Sequence, residues 1–448
     1  MNKRGNNLRK RLTRKVLFLI GSLIVLLVVI ICVKINGSKE KTATDNDRIE
    51  SDNLARSENE IEKELLDSSE DGGEYDLTEP TTEYSDSEME GEDELEREVV
   101  EKLAEMTLEE KVAQMFMVTP EALTGYSQVT EAGDVTYQAL SQYPVGGIIY
   151  FSSNIADPKQ LKTMTQNTQD YAMDISGIPI FLGIDEEGGM VARIASNEAF
   201  DVEQFPNMWA IGEKGDLEYA YHVGDTIGEY LWDNGLNVDF APDADVLTNS
   251  ENKVIGQRAF SDDALLTAQM SVQVMQGLEA QNVYACMKHF PGHGGTVGDT
   301  HQGYAYTERT IEQLREEELV PFQYGIDSGI SFIMVSHIAL PNVTGDETPA
   351  SMSKYIVTDL LREEMGYNGI VITDAMNMGA ITTCYNSSEG AVEAVLAGVD
   401  IVLMPKDFKV AYQGVIDAVE TGVIEEERID ESVKRILRVK LEIMKENR

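Results

Sequence analysis

Positive charge, cysteine and histidine are all scarce in this chain, and each shortage excludes something. Its 36 Lys and Arg face 79 Asp and Glu, a formal net charge of −43, so nucleic acid is not an expected partner. Of three cysteines only Cys286 and Cys384 lie beyond the first apolar run, too few for a disulfide framework. No glycine-rich dinucleotide fingerprint follows an early strand candidate, no H-E-x-x-H spacing occurs, and no serine or cysteine nucleophile motif is present. The five histidines, by contrast, are not scattered. Four fall between His289 and His337, three of them in KHFPGHGGTVGDTHQG (288–303). Histidine titrates nearest neutrality, so this glycine-rich stretch, following the apolar run VYACM, marks where chemistry is to be sought.

The N-terminal region gives a location. Val16 to Val33 are 18 uncharged, almost wholly apolar residues, about 27 Å as a helix and enough to span a bilayer. Seven basic residues and no acid precede them. The positive-inside rule therefore leaves 1–15 as a cytoplasmic tail, 16–35 as a signal-anchor in the cell membrane, and the rest outside. A cleaved signal peptide, giving a secreted form, is the competing reading, although no A-x-A-like site follows the run. Residues 41–100 hold 23 acids against 5 bases, which predicts a disordered, self-repelling linker over 36–100.

The remaining chain, 101–448, alternates apolar runs with amphipathic stretches. Eight strand candidates stand out: 114–118, 146–151, 179–185, 237–246, 283–290, 331–337, 369–375 and 400–405. Most are apolar throughout, as parallel strands covered by helices are. Helical spacing over 161–175, 267–281 and 427–444, with one longer excursion at 194–235, fits an α/β fold of the (β/α)8 TIM-barrel type. A doubly wound open sheet is the alternative. The polar residues favour the barrel. Asp185, Asp243, Asp245, Lys288, His289, His337 and Asp374 all fall at or just past strand ends, which converge on one rim only in a barrel.

Asp374 closes the apolar run GIVIT, either as a helix N-cap or as a carboxylate held at the barrel mouth. Asp299 and His301, two residues apart, can orient one another: the carboxylate takes one ring N–H and leaves the other nitrogen to give or take a proton. A polar loop is the bland alternative, and a metal site from His289, His293, His301 and Asp299 has the right ligand types without a compact metal spacing. Lys288 and Arg258 read as donors to hydroxyls or a carbonyl, Asp185 as an acceptor of hydroxyls, and Arg193 as reaching back past the Gly188-Gly189 turn. His337 reads as a second-layer residue.

The stretches IDEEGGMVARI (184–194), NVDFAPDADV (237–246), VIGQRAF (254–260), KHFPGHGGTVGDTH (288–301), MVSHIALP (334–341), ITDAMNMGAI (372–381) and AGVDIVLMP (397–405) resemble glycoside hydrolase family 3, in its β-N-acetylhexosaminidase (NagZ-like) branch. The resemblance implies an exo-acting, retaining β-N-acetylglucosaminidase acting on cell-wall-type glycans without cofactor or metal. It makes Asp374 the nucleophile and His301, steered by Asp299, the acid/base. Asp185, Arg193, Arg258, Lys288 and His289 then hold the terminal N-acetylglucosamine, with Asp245, His293, His337 and Met376 behind the pocket or on its rim. A histidine acid in place of a second carboxylate avoids repulsion between two anions.

Three residues depart from the family pattern: Glu186 and Met190 replace a glutamine and an arginine, and Asp243 adds an acid at a usually apolar position near the mouth. A β-glucosidase or β-xylosidase, with transfer to phosphate as a variant, is the rival within the class. A non-catalytic glycan-binding protein is the rival outside it. A monomer is expected.

Overall fold

A computed structural model describes residues 86–446, all within one compact unit, Tyr84–Arg448. The tail, the anchor and the linker up to residue 85 lie outside the described residues. Among those described, no helix is long and apolar enough to cross a membrane.

The linker expectation is corrected at its C-terminal end, where Asp86–Glu105 is a helix. Acidic composition hides a stripe: Leu95, Val99 and Leu103 recur every four residues, Val99 and Leu103 are buried, and all three join the core. The helix packs along the C-terminal helix Glu426–Glu446, where Glu96 also pairs with Arg438. The next helix, Leu108–Gln114, starts with the expected capping box: Thr107 Oγ1 accepts the Glu110 N–H at 3.3 Å and Glu110 returns the bond at 2.9 Å.

All eight strand candidates contain a strand: β1 (Phe116–Val118), β2 (Gly147–Ile149), β3 (Phe181–Ile184), β4 (Val238–Asp239), β5 (Tyr284–Phe290), β6 (Phe332–Val335), β7 (Ile370–Thr373) and β8 (Val402–Leu403). Every neighbouring pair is parallel, in the order β8-β1-β2-β3-β4-β5-β6-β7. An isolated bridge, Ile372 to Ile401, links the two ends of the sheet and brings it round into a TIM-type barrel. The open-sheet alternative is thereby set aside. Strands β1 to β3 and β6 to β8 are buried throughout, which is why their sequences do not alternate.

The strands are shorter than their apolar runs because the rim residues turn to other partners. Beyond β4, Pro242 has no N–H to give, yet an irregular ladder continues: Cys286 donates to the Ala241 carbonyl at 2.9 Å and Ala244 to that of Lys288 at 2.7 Å. The 194–235 excursion holds the helix Leu217–Asp233, capped by Asp216. It crosses the helix Ala264–Ala280 so closely that a Cβ on Gly224 would stand 2.1 Å from the Val274 carbonyl oxygen.

Candidate active site

The C-terminal ends of the strands gather the polar residues on one rim. Asp185 follows β3 directly and Asp374 follows β7, while Lys288 and His289 lie near the end of β5. Asp243 and Asp245 stand past β4, with Arg258 further along the same connection, in the turn Gly256–Arg258. The connection after β5 carries His293, Asp299 and His301, and His337 stands two residues beyond β6.

After Asp185 the chain makes a tight hairpin, Glu186–Gly188 against Val191–Ala192. Extended backbone alternates its side chains, so Asp185 and Glu187 share one face and Glu186 takes the other. Glu186 is buried and accepts the N–H groups of Arg193, Ile194 and Ala195 and the hydroxyl of Tyr230. Its place is to close the hairpin's returning arm. This arm brings Arg193 back so that its guanidinium lies 3.5 Å from Asp185. Met190, at the hairpin turn, is 66% exposed and touches none of these groups by ion pair or side-chain hydrogen bond.

On the other face two cations meet two acids. Lys288 Nζ lies 2.9 Å from Asp185 and 2.6 Å from Glu187, and Arg258 grips Glu187 with two bonds of 2.9 and 2.7 Å. Burial alone would raise the Glu187 pKa, but the charges of Arg258 and Lys288 outweigh it and hold this acid well below the carboxylate range. Lys288 is correspondingly pushed up: burial opposes the charge, and Asp185 and Glu187 more than restore it. Glu187 is thus the hub of the pocket floor, and the reading of the sequence passed over it. The available signal was its two-residue spacing from Asp185.

The buried histidines are held neutral. His289 gives its Nδ1–H to Asp245 at 2.7 Å, so its Nε2 carries a lone pair, 3.4 Å from Arg258. Burial and then Arg258 push its pKa down to about 4. His293, lowered to about 4 by burial and by His289, has a threonine hydroxyl at each ring nitrogen, Thr296 at 2.9 Å and Thr300 at 3.3 Å. His337 faces a carbonyl, that of Ala375 at 3.2 Å, which can only accept. Its proton therefore sits on Nε2, and Nδ1 takes the Ser351 hydroxyl at 2.8 Å. His337 thereby ties β6 to the residue following Asp374. Asp374 itself accepts the Ala375 N–H at 2.7 Å. Burial would raise its pKa; His337, His289 and that N–H reverse the effect, so the carboxylate stays ionised.

Asp299 and His301 are in contact, Oδ1 to Nδ1 at 2.9 Å, and Asp299 also takes the His301 backbone N–H at 2.9 Å and the Gln302 amide at 2.8 Å. These bonds overcome partial burial to keep Asp299 below its ordinary pKa. The His301 side chain is 64% exposed. The loop has a fixed neck, since Val297 and Tyr306 exchange backbone bonds of 2.8 and 3.0 Å and Ala305 and Thr307 bond to Ala339. Its tip rests on the loop that follows Asp374: Gly379 N–H reaches the His301 carbonyl at 3.2 Å and Ala380 N–H that of Thr300 at 3.0 Å. The Asp299/His301 pair and Asp374 are therefore carried by two loops joined through their backbones.

Met376, expected behind the pocket or on its rim, is buried in the core, with its methyl 3.0 Å from where a Cβ on Gly390 would stand. Asp243, expected near the mouth, is fully buried beside Arg258. Asp243, Asp245 and His289 offer atoms within 4.8 Å of one another, the makings of a cation site. Arg258 already supplies the cation there, 3.2 Å from Asp243, and Asp245 is committed to the N–H groups of His289 and His293. With both ring nitrogens of His293 taken by threonines, the metal set weighed from the sequence does not assemble either.

A parallel (β/α) barrel with a carboxylate after its seventh strand and a His/Asp loop beside it defines the class. The particular family follows from comparison. The profile of the glycosyl hydrolase family 3 N-terminal domain matches residues 107–439, and the chain belongs to that family. It is 35% identical over 331 residues to beta-hexosaminidase A of Pseudoalteromonas piscicida, covering 68% of this chain and 55% of that protein. It is 31% identical to a beta-hexosaminidase of Nitrosomonas eutropha, covering 66% and 85% of the two. Among solved structures, a glycoside hydrolase family 3 beta-N-acetylglucosaminidase from Paenibacillus sp. str. FPU-7 superimposes with a TM-score of 0.71 at 37% identity, over 76% of this chain and 63% of that one. The chain thus spans little more than half of the first of these relatives.

Proposed function

We propose that this chain is a retaining, exo-acting β-N-acetylglucosaminidase that removes terminal N-acetylglucosamine from a cell-wall-type glycan. The reading is carried by the docking of the Asp299/His301 loop onto the loop that follows Asp374, which sets a proton donor and a nucleophile on one rim. In the first step the Asp374 carboxylate attacks the anomeric carbon. The glycosidic bond breaks, and protonated His301 gives its Nε2 proton to the leaving oxygen. In the second step His301 takes a proton from water, which displaces Asp374 and releases the sugar with its configuration retained. Asp299 holds Nδ1–H throughout and stabilises the imidazolium. Asp185, Arg193, Arg258, Lys288 and His289 surround the terminal sugar, with Asp245, His293 and His337 orienting them from behind.

The names of the relatives, beta-hexosaminidase and beta-N-acetylglucosaminidase, support the sugar assigned. The test compares nitrophenyl β-N-acetylglucosaminide with the β-glucoside and β-xyloside. Strong preference for the first is expected; preference for plain glucoside rejects the amide-reading pocket. Added phosphate that yields a sugar 1-phosphate in place of free sugar would reject hydrolysis. Residues 16–35 are proposed as an uncleaved membrane anchor with the barrel outside the cell, on the strength of their apolar run and basic flank. Recovery of the full chain in a carbonate-washed membrane fraction is the expected result, and a soluble product lacking the N-terminus would reject it.

A further inference from the structure

Asp243 is a buried acid of the site that neither the catalytic steps nor the sugar-binding set employs. It is wholly inaccessible, and its Oδ2 lies 3.2 Å from the Arg258 guanidinium nitrogen NH2 without making a hydrogen bond. Its Oδ1 accepts the Asp245 N–H at 3.1 Å, and its backbone pairs with Lys288 in a parallel bridge. The side chain is thus fixed by its own loop and by β5, and is not free to swing away from Arg258.

Arg258 is engaged along one edge by Glu187, through Nε and NH2. NH2 is approached on its far side by Asp243 and by the His289 Nε2 at 3.4 Å. NH1 has only a long bond of 3.4 Å to the Val254 carbonyl. Glu187 and the His289 ring nitrogen therefore take the donors on one side of the planar fork, with the Asp243 charge beside them, and leave NH1 with donor capacity to spare.

We propose that Asp243 is a positioning residue for sugar binding: together with Glu187 it pins the Arg258 guanidinium from two sides, so that NH1 is presented to a hydroxyl of the bound sugar. The inference rests on the proposed function only in needing a sugar at this rim. The groups facing Asp243 are Arg258 from the turn further along the same connection, Asp245 on its own loop, Glu187 on the hairpin, and Lys288 and His289 on β5. Burial and then Asp245 push its pKa up to about 7, against the pull of Arg258. The clamp is accordingly tight above neutrality and slackens as Asp243 takes up a proton.

The experiment is the isosteric variant Asp243→Asn in the full chain, assayed against wild type on whichever of the nitrophenyl N-acetylglucosaminide and glucoside the wild type hydrolyses. The corresponding free sugar serves as competitive inhibitor between pH 6 and 8. At the alkaline end KM and Ki are expected to rise about three- to ten-fold in the variant, with kcat within about two-fold, the signature of lost uniform binding. Wild-type Ki should weaken as pH falls through about 7, and the variant should show the weak value throughout. A variant with wild-type KM and Ki at the alkaline end, or one keeping the pH dependence, overturns the proposal. Should the variant not fold, the wild-type Ki decides: a flat profile across the same range overturns it. Preference for the glucoside rejects the N-acetyl reading while leaving this comparison intact, and hydrolysis of neither substrate overturns both.

Discussion

Asp374 is ionised because His337, His289 and a backbone N–H outweigh its burial. Asp374→Asn keeps the shape and removes the proposed nucleophile, so turnover should fall at least about a thousand-fold with the thermal transition little changed, measured by initial rates and by melting. His301→Ala removes the proposed proton donor. It should lose on the order of a hundred- to ten-thousand-fold on substrates with poor leaving groups and far less on activated nitrophenyl glycosides. Equal losses across leaving groups of very different acidity would contradict the role. Nearly all of these residues were legible from their positions at strand ends. Glu187 was not, because an acid that organises two cations leaves no mark in sequence beyond its alternation with Asp185.

At the level of the element, the Asp299/His301 loop has a clamped neck and a tip resting on a glycine. A Cβ on Gly379 would stand 2.7 to 2.8 Å from the backbone of Gln302 and 2.8 Å from the His301 carbonyl oxygen. Those atoms are main chain and cannot rotate aside, so Gly379→Ala should lift the tip. Because the contact lies at the surface of two loops, stability should be nearly unchanged. Turnover of poor leaving groups should drop about ten-fold or more while activated substrates are spared, the same split as His301→Ala in milder form. Apolar runs with no alternation revealed the eight strands. Their short lengths were not legible, since where a ladder gives way depends on which rim N–H groups are diverted to side chains such as Asp239 and Asp245.

For the whole molecule, closure of the barrel is supported from below by a buried anion. Asp400, just before β8, meets Arg362, Arg435 at 3.1 Å and the Ser432 hydroxyl at 2.7 Å. Burial would raise its pKa, but Arg362, Arg435 and Arg428 hold it below the usual 3.8. A depressed carboxylate contributes stability above its unfolded pKa and loses it as pH falls through the folded one. Asp400→Asn should therefore cost about 3–5 kcal/mol at neutral pH, with wild type and variant converging in chemical denaturation as the medium is taken below pH 4. The barrel itself was readable from eight runs and a common rim. The helix Asp86–Glu105 was not, because its three core residues are outnumbered by acids, and composition averages over a stripe that only a tertiary partner reveals.

Each cation on the pocket floor already has its counter-ion: Arg193 and Lys288 have Asp185, and Lys288 and Arg258 share Glu187. Such short, largely buried pairs lie inside the screening distance of any ordinary electrolyte. Under the proposed function the site therefore offers an uncharged glycoside directional bonds from cations whose charges are already paired, and added sodium chloride should leave kcat/KM nearly constant from millimolar to several hundred millimolar.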